Sequence, residues 1–67
     1  MLASHKSVKN ESRYTDLVDK VAMHLENALE EMRNLLALEK ELQFHEKTIA
    51  ETQDHIETVQ IIYEVYL

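Results

Sequence analysis

The sequence predicts an all-α fold, an antiparallel two-helix hairpin of the coiled-coil kind, on three observations. Glycine and proline are both absent from the 67 residues, and the tight turns of a sheet protein draw on those residues for their backbone angles. Strong helix formers dominate, as in HLENALEEMRNLLALEKEL over residues 24–42. Apolar or aromatic residues also recur every seven positions, at Tyr14, Val21, Ala28, Leu35, Leu42, Ile49, Ile56 and Tyr63, the rhythm of helices packed along a seam.

Taken in order, residues 1–11 read as a flexible basic lead-in. Lys6, Lys9 and Arg13 against Glu11 give residues 1–13 a balance of +2. Such a short polar stretch has little apolar surface with which to hold itself in place. A hairpin over residues 12–67 follows, with one helix at about 12–36, a turn at about 37–42 and a second helix at about 43–66. Asn10 and Ser12 are the candidate caps of the first helix, and Asp16 and Asp19 suit its positive N-terminal end.

The turn is inferred from a change of phase. In the first half the companions of the seven-residue ladder lie four residues later, at Val18, Leu25 and Met32. In the second half they lie three residues later, at Leu38, His45, Thr52, Val59 and Tyr66. Carrying the first pattern onward would put Glu39, Glu46, Gln53 and Gln60 in the seam, where carboxylates are costly. Tyr14, Val18, Val21, Leu25, Ala28, Met32, Leu35, Leu42, Ile49, Ile56, Val59 and Tyr63 are therefore the expected intramolecular seam. The competing architecture is one long continuous helix that dimerises through the same rhythm, and it is favoured by the lack of any strong turn former between Asn34 and Gln43.

Composition narrows the function. Residues 14–67 carry twelve acids against Lys20, Arg33, Lys40 and Lys47, a balance of −8, and an acidic body repels a phosphate backbone. Nucleic-acid binding is not expected. Without cysteine there is no disulfide and no thiolate metal site. His5, His24, His45 and His55 are not spaced three or four apart, so no helical metal site is expected. Two helices cannot enclose a pocket, and no nucleophile turn or phosphate loop is present, so catalysis, cofactors and an enzyme role are not expected. The start lacks the apolar stretch of a signal peptide and no run suits a membrane span, which leads to the expectation of a soluble, cytoplasmic protein.

The last nine residues, VQIIYEVYL, carry the functional signal. Seven of them are apolar or aromatic, and Gln60 and Glu64 join Glu57 in one narrow polar strip. A helix covered by one neighbour needs an apolar stripe of about 100° or somewhat more, and this segment exceeds it. Three or four such side chains left in water forfeit on the order of 5–10 kcal/mol. Val59 and Tyr63 are expected to face the hairpin, and Ile61, Ile62, Val65, Tyr66 and Leu67 to face another protein.

YTDLVDKVAMHLENALEEMR, the Gln43–Phe44 pair and above all HIETVQIIYEVYL give residues 12–67 a family likeness. The chain resembles the small E-type co-chaperones of type III secretion needle subunits, the YscE/SsaE-like proteins. The resemblance implies a helical hairpin in the bacterial cytoplasm that binds a helical-repeat (TPR-like) chaperone. Through that chaperone it would help keep a needle subunit soluble and unpolymerised before export. The excess apolar face at residues 59–67 predicts self-association of the isolated chain. The alternative expectation is a structural coiled coil or four-helix-bundle dimerisation module.

Overall fold

The computed structural model describes residues 2–67, with side chains described from Asn10 onward. It is all-helical: α1 spans Leu2–Glu41 and α2 spans Glu46–Val65, and the two pack against each other as a hairpin. A hydrogen bond from Arg33 Nη2 to Gln60 Oε1, 3.0 Å long, ties the helices together on one side. The molecule is a rod 62 Å long and 15 by 12 Å across. At 1.5 Å per residue α1 alone accounts for about 60 Å and α2 for about 30 Å, so α2 reaches back only to about residue 22. The first half of α1 projects past it.

Both helix boundaries at the turn differ from expectation. The turn lies at residues 42–45 rather than 37–42, because α1 continues to Glu41 and α2 starts at Glu46. Leu42 N–H bonds Leu38 O at 2.9 Å and Gln43 N–H bonds Lys40 O at 3.1 Å, while Phe44 N–H bonds Glu39 O at 2.9 Å. The last two form a Schellman motif, which satisfies carbonyls that the helix end would otherwise leave open. The motif needs a left-handed residue, normally glycine, and here Gln43 supplies it at φ 57°. A glutamine there gives no turn signal in the sequence, which is why the stop was expected earlier. The start of α1 also differs. With no glycine or proline to interrupt it, the helix begins at Leu2, so the backbone of residues 2–11 is helical where a lead-in is expected, and Asn10 and Ser12 lie inside α1 instead of capping it. The side chains of Lys6 and Lys9 lie outside the described residues.

The left-handed Gln43 yields a measurable prediction. An L-residue in that region costs roughly 1–2 kcal/mol, part of which glycine returns as unfolded-state entropy. Gln43→Gly is expected to stabilise the hairpin by about 0.5–1 kcal/mol, and Gln43→Val to destabilise it by more than that. Thermal melts followed by circular dichroism read both; a lower melting point for the glycine variant would show that Gln43 makes a compensating interaction.

Across the turn His45 opens α2. Its backbone is extended (φ −55°, ψ 142°), and its Nδ1 accepts a 3.0 Å hydrogen bond from Lys47 N–H, doing the work of a capping Asp or Ser. His45 is exposed and takes no part in the seam.

Packing along the hairpin is thin. Leu29 is the one fully buried apolar side chain among the described residues, at 2 % exposure. Around it, Val18, Ala22, Leu25, Ala28, Met32 and Leu36 of α1 are half-buried, as are Thr48, Ile49, Ile56, Val59, Gln60 and Tyr63 of α2. Thr52 is buried with its hydroxyl donating to Thr48 O at 3.1 Å. The face of α1 that meets α2 thus steps through 18, 22, 25, 29, 32, 36 and 39 in alternating fours and threes.

Four expected seam residues ahead of α2 are corrected. Tyr14 is 69 % exposed, Val21 38 %, Leu35 51 % and Leu42 59 %. Val21 and Leu35 immediately precede Ala22 and Leu36, and one residue is 100° of helix. Two neighbouring apolar ladders run along α1, and α2 covers the later one. Tyr14 lies beyond the reach of α2, and Leu42 sits in the turn. The phase change is corrected as well. Glu39 continues the companion series 18, 25, 32 and is buried, at 7 % exposure. Within α1 the phase does not shift, and the apparent change is the turn itself.

Candidate interaction surfaces

An antiparallel pair of helices has two sides, and the residue pattern makes them unlike. On both helices, positions one residue after the inward ladder fall on the same side. On α1 these are Asp19, Met23, Glu26, Glu30 and Arg33; on α2 they are Gln53, Glu57, Gln60 and Glu64. The Arg33–Gln60 bond joins that side, and Gln60 Nε2 reaches on to Glu64 Oε1 at 3.4 Å. It is a mainly polar, hydrogen-bonded side, on which Met23 is exposed.

Positions one residue before the inward ladder fall on the opposite side. There α1 presents Leu17, Val21, His24, Ala28, Glu31, Leu35 and Leu38, while α2 presents Glu51, His55, Thr58 and Ile62. Leu17 is 53 % exposed and Ile62 44 %. This side is open and mainly apolar toward both ends, with polar positions at His24, Glu31, Glu51, His55 and Thr58 between them.

The five residues expected to face a partner lie at the end of α2 and just past it. Ile61 is 59 % exposed, Ile62 44 %, Val65 76 %, Tyr66 37 % and Leu67 81 %. Val59 and Tyr63, on the same two turns, are half-buried against α1. Separation of the two sets follows from the hundred-degree step, which turns 59 and 63 inward and 61, 62 and 65 away. The helix closes with Tyr66 N–H on Tyr63 O at 2.9 Å, a tightened last turn that keeps Val65 and Tyr66 on an ordered backbone.

Two exposed apolar patches escaped the sequence reading. Leu38 (49 %) and Phe44 (47 %) stand beside Leu42 around the turn, and Leu17 (53 %) stands near Tyr14 on the projecting half of α1. The signal that would have found them is the second ladder, 14, 17, 21, 24, 28, 31, 35, 38 and 42, which alternates threes and fours as regularly as the first.

Among the described residues no three His, Asp or Glu side chains come together as a metal site, and no helix is long and apolar enough to cross a membrane. Compared with known proteins, the chain matches no family model, no curated protein and no solved structure.

Proposed function

We propose that this protein is a non-enzymatic binding subunit, a small co-chaperone that stabilises a helical-repeat chaperone of a type III secretion needle subunit in the bacterial cytoplasm. One observation carries the binding role. Ile61, Ile62, Val65, Tyr66 and Leu67 form an exposed apolar cluster on the last turns of a hairpin in which Leu29 is the one apolar side chain completely buried among the described residues. A surface of that kind on a chain this small is stabilised by covering it, and burial of each such side chain is worth roughly 1.5–3 kcal/mol. Tyrosines suit an interface, since the ring can be buried while the hydroxyl stays wet. The partner's identity rests on the family resemblance of residues 12–67. In this reading the hairpin covers an apolar groove of the repeat chaperone and need not touch the needle subunit.

Co-expression with a candidate repeat chaperone, followed by capture through a tag on the chaperone, tests the proposal. The wild-type chain is expected to co-purify at one to one, and the pair to melt higher than either component. The double variant Ile62→Glu, Val65→Glu is expected to weaken capture by at least about tenfold while keeping its helical circular dichroism, because both side chains are exposed in the free hairpin. Capture that is indifferent to these two residues would remove the C-terminal cluster from the interface.

A further inference from the structure

The second ladder of α1 is a surface of its own, about a quarter turn away from the face that α2 covers. Tyr14, Leu17 and Val21 occupy its N-terminal end and Leu35, Leu38 and Leu42 its C-terminal end, with exposures between 38 and 69 %. Ala28 stands midway between Tyr14 and Leu42. From Tyr14 to Leu42 the stripe runs about 42 Å, the length of a substantial helix–helix contact. We propose that a second copy of this chain covers it, α1 against α1, antiparallel and crossing near Ala28.

Three features favour a second copy in that orientation. The stripe is nearly palindromic, with large apolar residues at both ends and a small one at the centre. A two-fold axis near Ala28 lays the Tyr14, Leu17 and Val21 end of each copy against the Leu35, Leu38 and Leu42 end of the other. The small central residue lets the helices approach closely at the axis, and the interface is self-complementary, as a two-fold dimer requires.

The polar positions of the stripe give the direction. His24 and Glu31 lie four residues before and three after Ala28. Antiparallel packing sets His24 of one copy against the Glu31 of the second, whereas a parallel pair would stack Glu31 on Glu31 in the seam. Opposed like charges in an interface are unfavourable.

Net charge points the same way. Residues 1–13 carry +2, and the turn region, residues 39–46, carries Glu39, Glu41 and Glu46 against Lys40, a balance of −2. Antiparallel copies bring the basic end of each α1 to the acidic turn of the other, and parallel copies bring like ends together. The arrangement also covers Tyr14 and Leu17, exposed on the part of α1 that projects past α2. This interface is on α1 and does not rest on the chaperone-binding role assigned to the end of α2, so either can fail alone.

The test uses the full chain. Light scattering coupled to size exclusion is expected to give a dimer at micromolar concentration. Leu35→Glu with Leu38→Glu is expected to convert it to a helical monomer, and Ile62→Glu with Val65→Glu to leave it a dimer. The absence of cysteine allows one spin label through Ser12→Cys. Antiparallel crossing at Ala28 places the two labels about 50 Å apart, and a parallel pair places them within about 20 Å. A wild-type monomer, a dimer that survives the Leu35 and Leu38 substitutions, or a short label distance each overturns the proposal.

Discussion

Leu29→Ala is expected to leave the hairpin largely unfolded at 25 °C. Leu29 is the fully buried apolar residue of the interface, at 2 % exposure, and its loss removes both its transfer free energy and the filling of the space it occupied. Substitutions of that kind cost about 2–5 kcal/mol. The core of a chain this size rarely supplies more than about 3–5 kcal/mol. The loss is therefore comparable with the whole. Helix propensity works in the opposite direction, since alanine is the best helix former, so any destabilisation measured is a packing effect. Met23→Ala is the control: Met23 is 52 % exposed on the polar side of the pair, and its truncation is expected to change stability by no more than about 0.5 kcal/mol. Thermal melts at one fixed protein concentration compare the two, because association raises apparent stability with concentration. A Leu29→Ala chain that melts within a few degrees of the wild type would show that the hairpin contact contributes little and that stability comes from association.

Glu39→Leu is expected to do the reverse and raise the melting point. Glu39 is 7 % exposed, in line with Leu25 and Met32 on the face toward α2, and its Oε1 is buried without a hydrogen-bond partner. Leaving such a group unsatisfied costs about 1–3 kcal/mol, more if it is charged. Leucine keeps the helix propensity and replaces the carboxyl with apolar surface on the face toward α2. In a domain of 60–100 residues each kcal/mol moves the melting point by about 4–8 °C, so a rise of about 5–15 °C is expected. Glu39→Gln separates charge from shape: a gain with leucine and none with glutamine means that the unpaired polar atom itself is the cost. A fall in stability for Glu39→Leu would mean that the carboxylate is engaged by a group from another chain.

Glu39 also shows how far periodicity can be read. In the sequence it stands in the companion series after Val18, Leu25 and Met32, and its charge argues for a break in the pattern. The structure keeps the series and buries the carboxyl, because a helix already committed to a packed face cannot turn one residue away from it. His45 is the opposite case. Its place in the second companion series suggests a polar seam residue, yet it lies at the helix start, where its ring nitrogen serves an otherwise unsatisfied backbone N–H. In both residues the local signal was legible and the chain geometry gave it a different meaning.

The same holds for the candidate surfaces. The excess of apolar residues in VQIIYEVYL was legible because seven of nine cannot all face one neighbour. The second apolar stripe on α1 was hidden inside a single ladder of sevens, since Val21, Ala28 and Leu35 look like core positions until α2 is seen to pack on their successors.

The residues alone establish the all-helical character of the chain and the surplus of apolar surface in VQIIYEVYL, and they favour two helices while leaving one continuous helix open. These follow from composition and from counts around a helix, which are local properties. The tertiary structure decided where the chain turns and which of two adjacent ladders is buried. The turn depends on one glutamine held at φ 57°, a cost that the hydrogen bonds of the helix end and the packing of α2 on α1 offset. The choice of ladder depends on where the second helix lies, and two apolar stripes 100° apart are equivalent until it is placed.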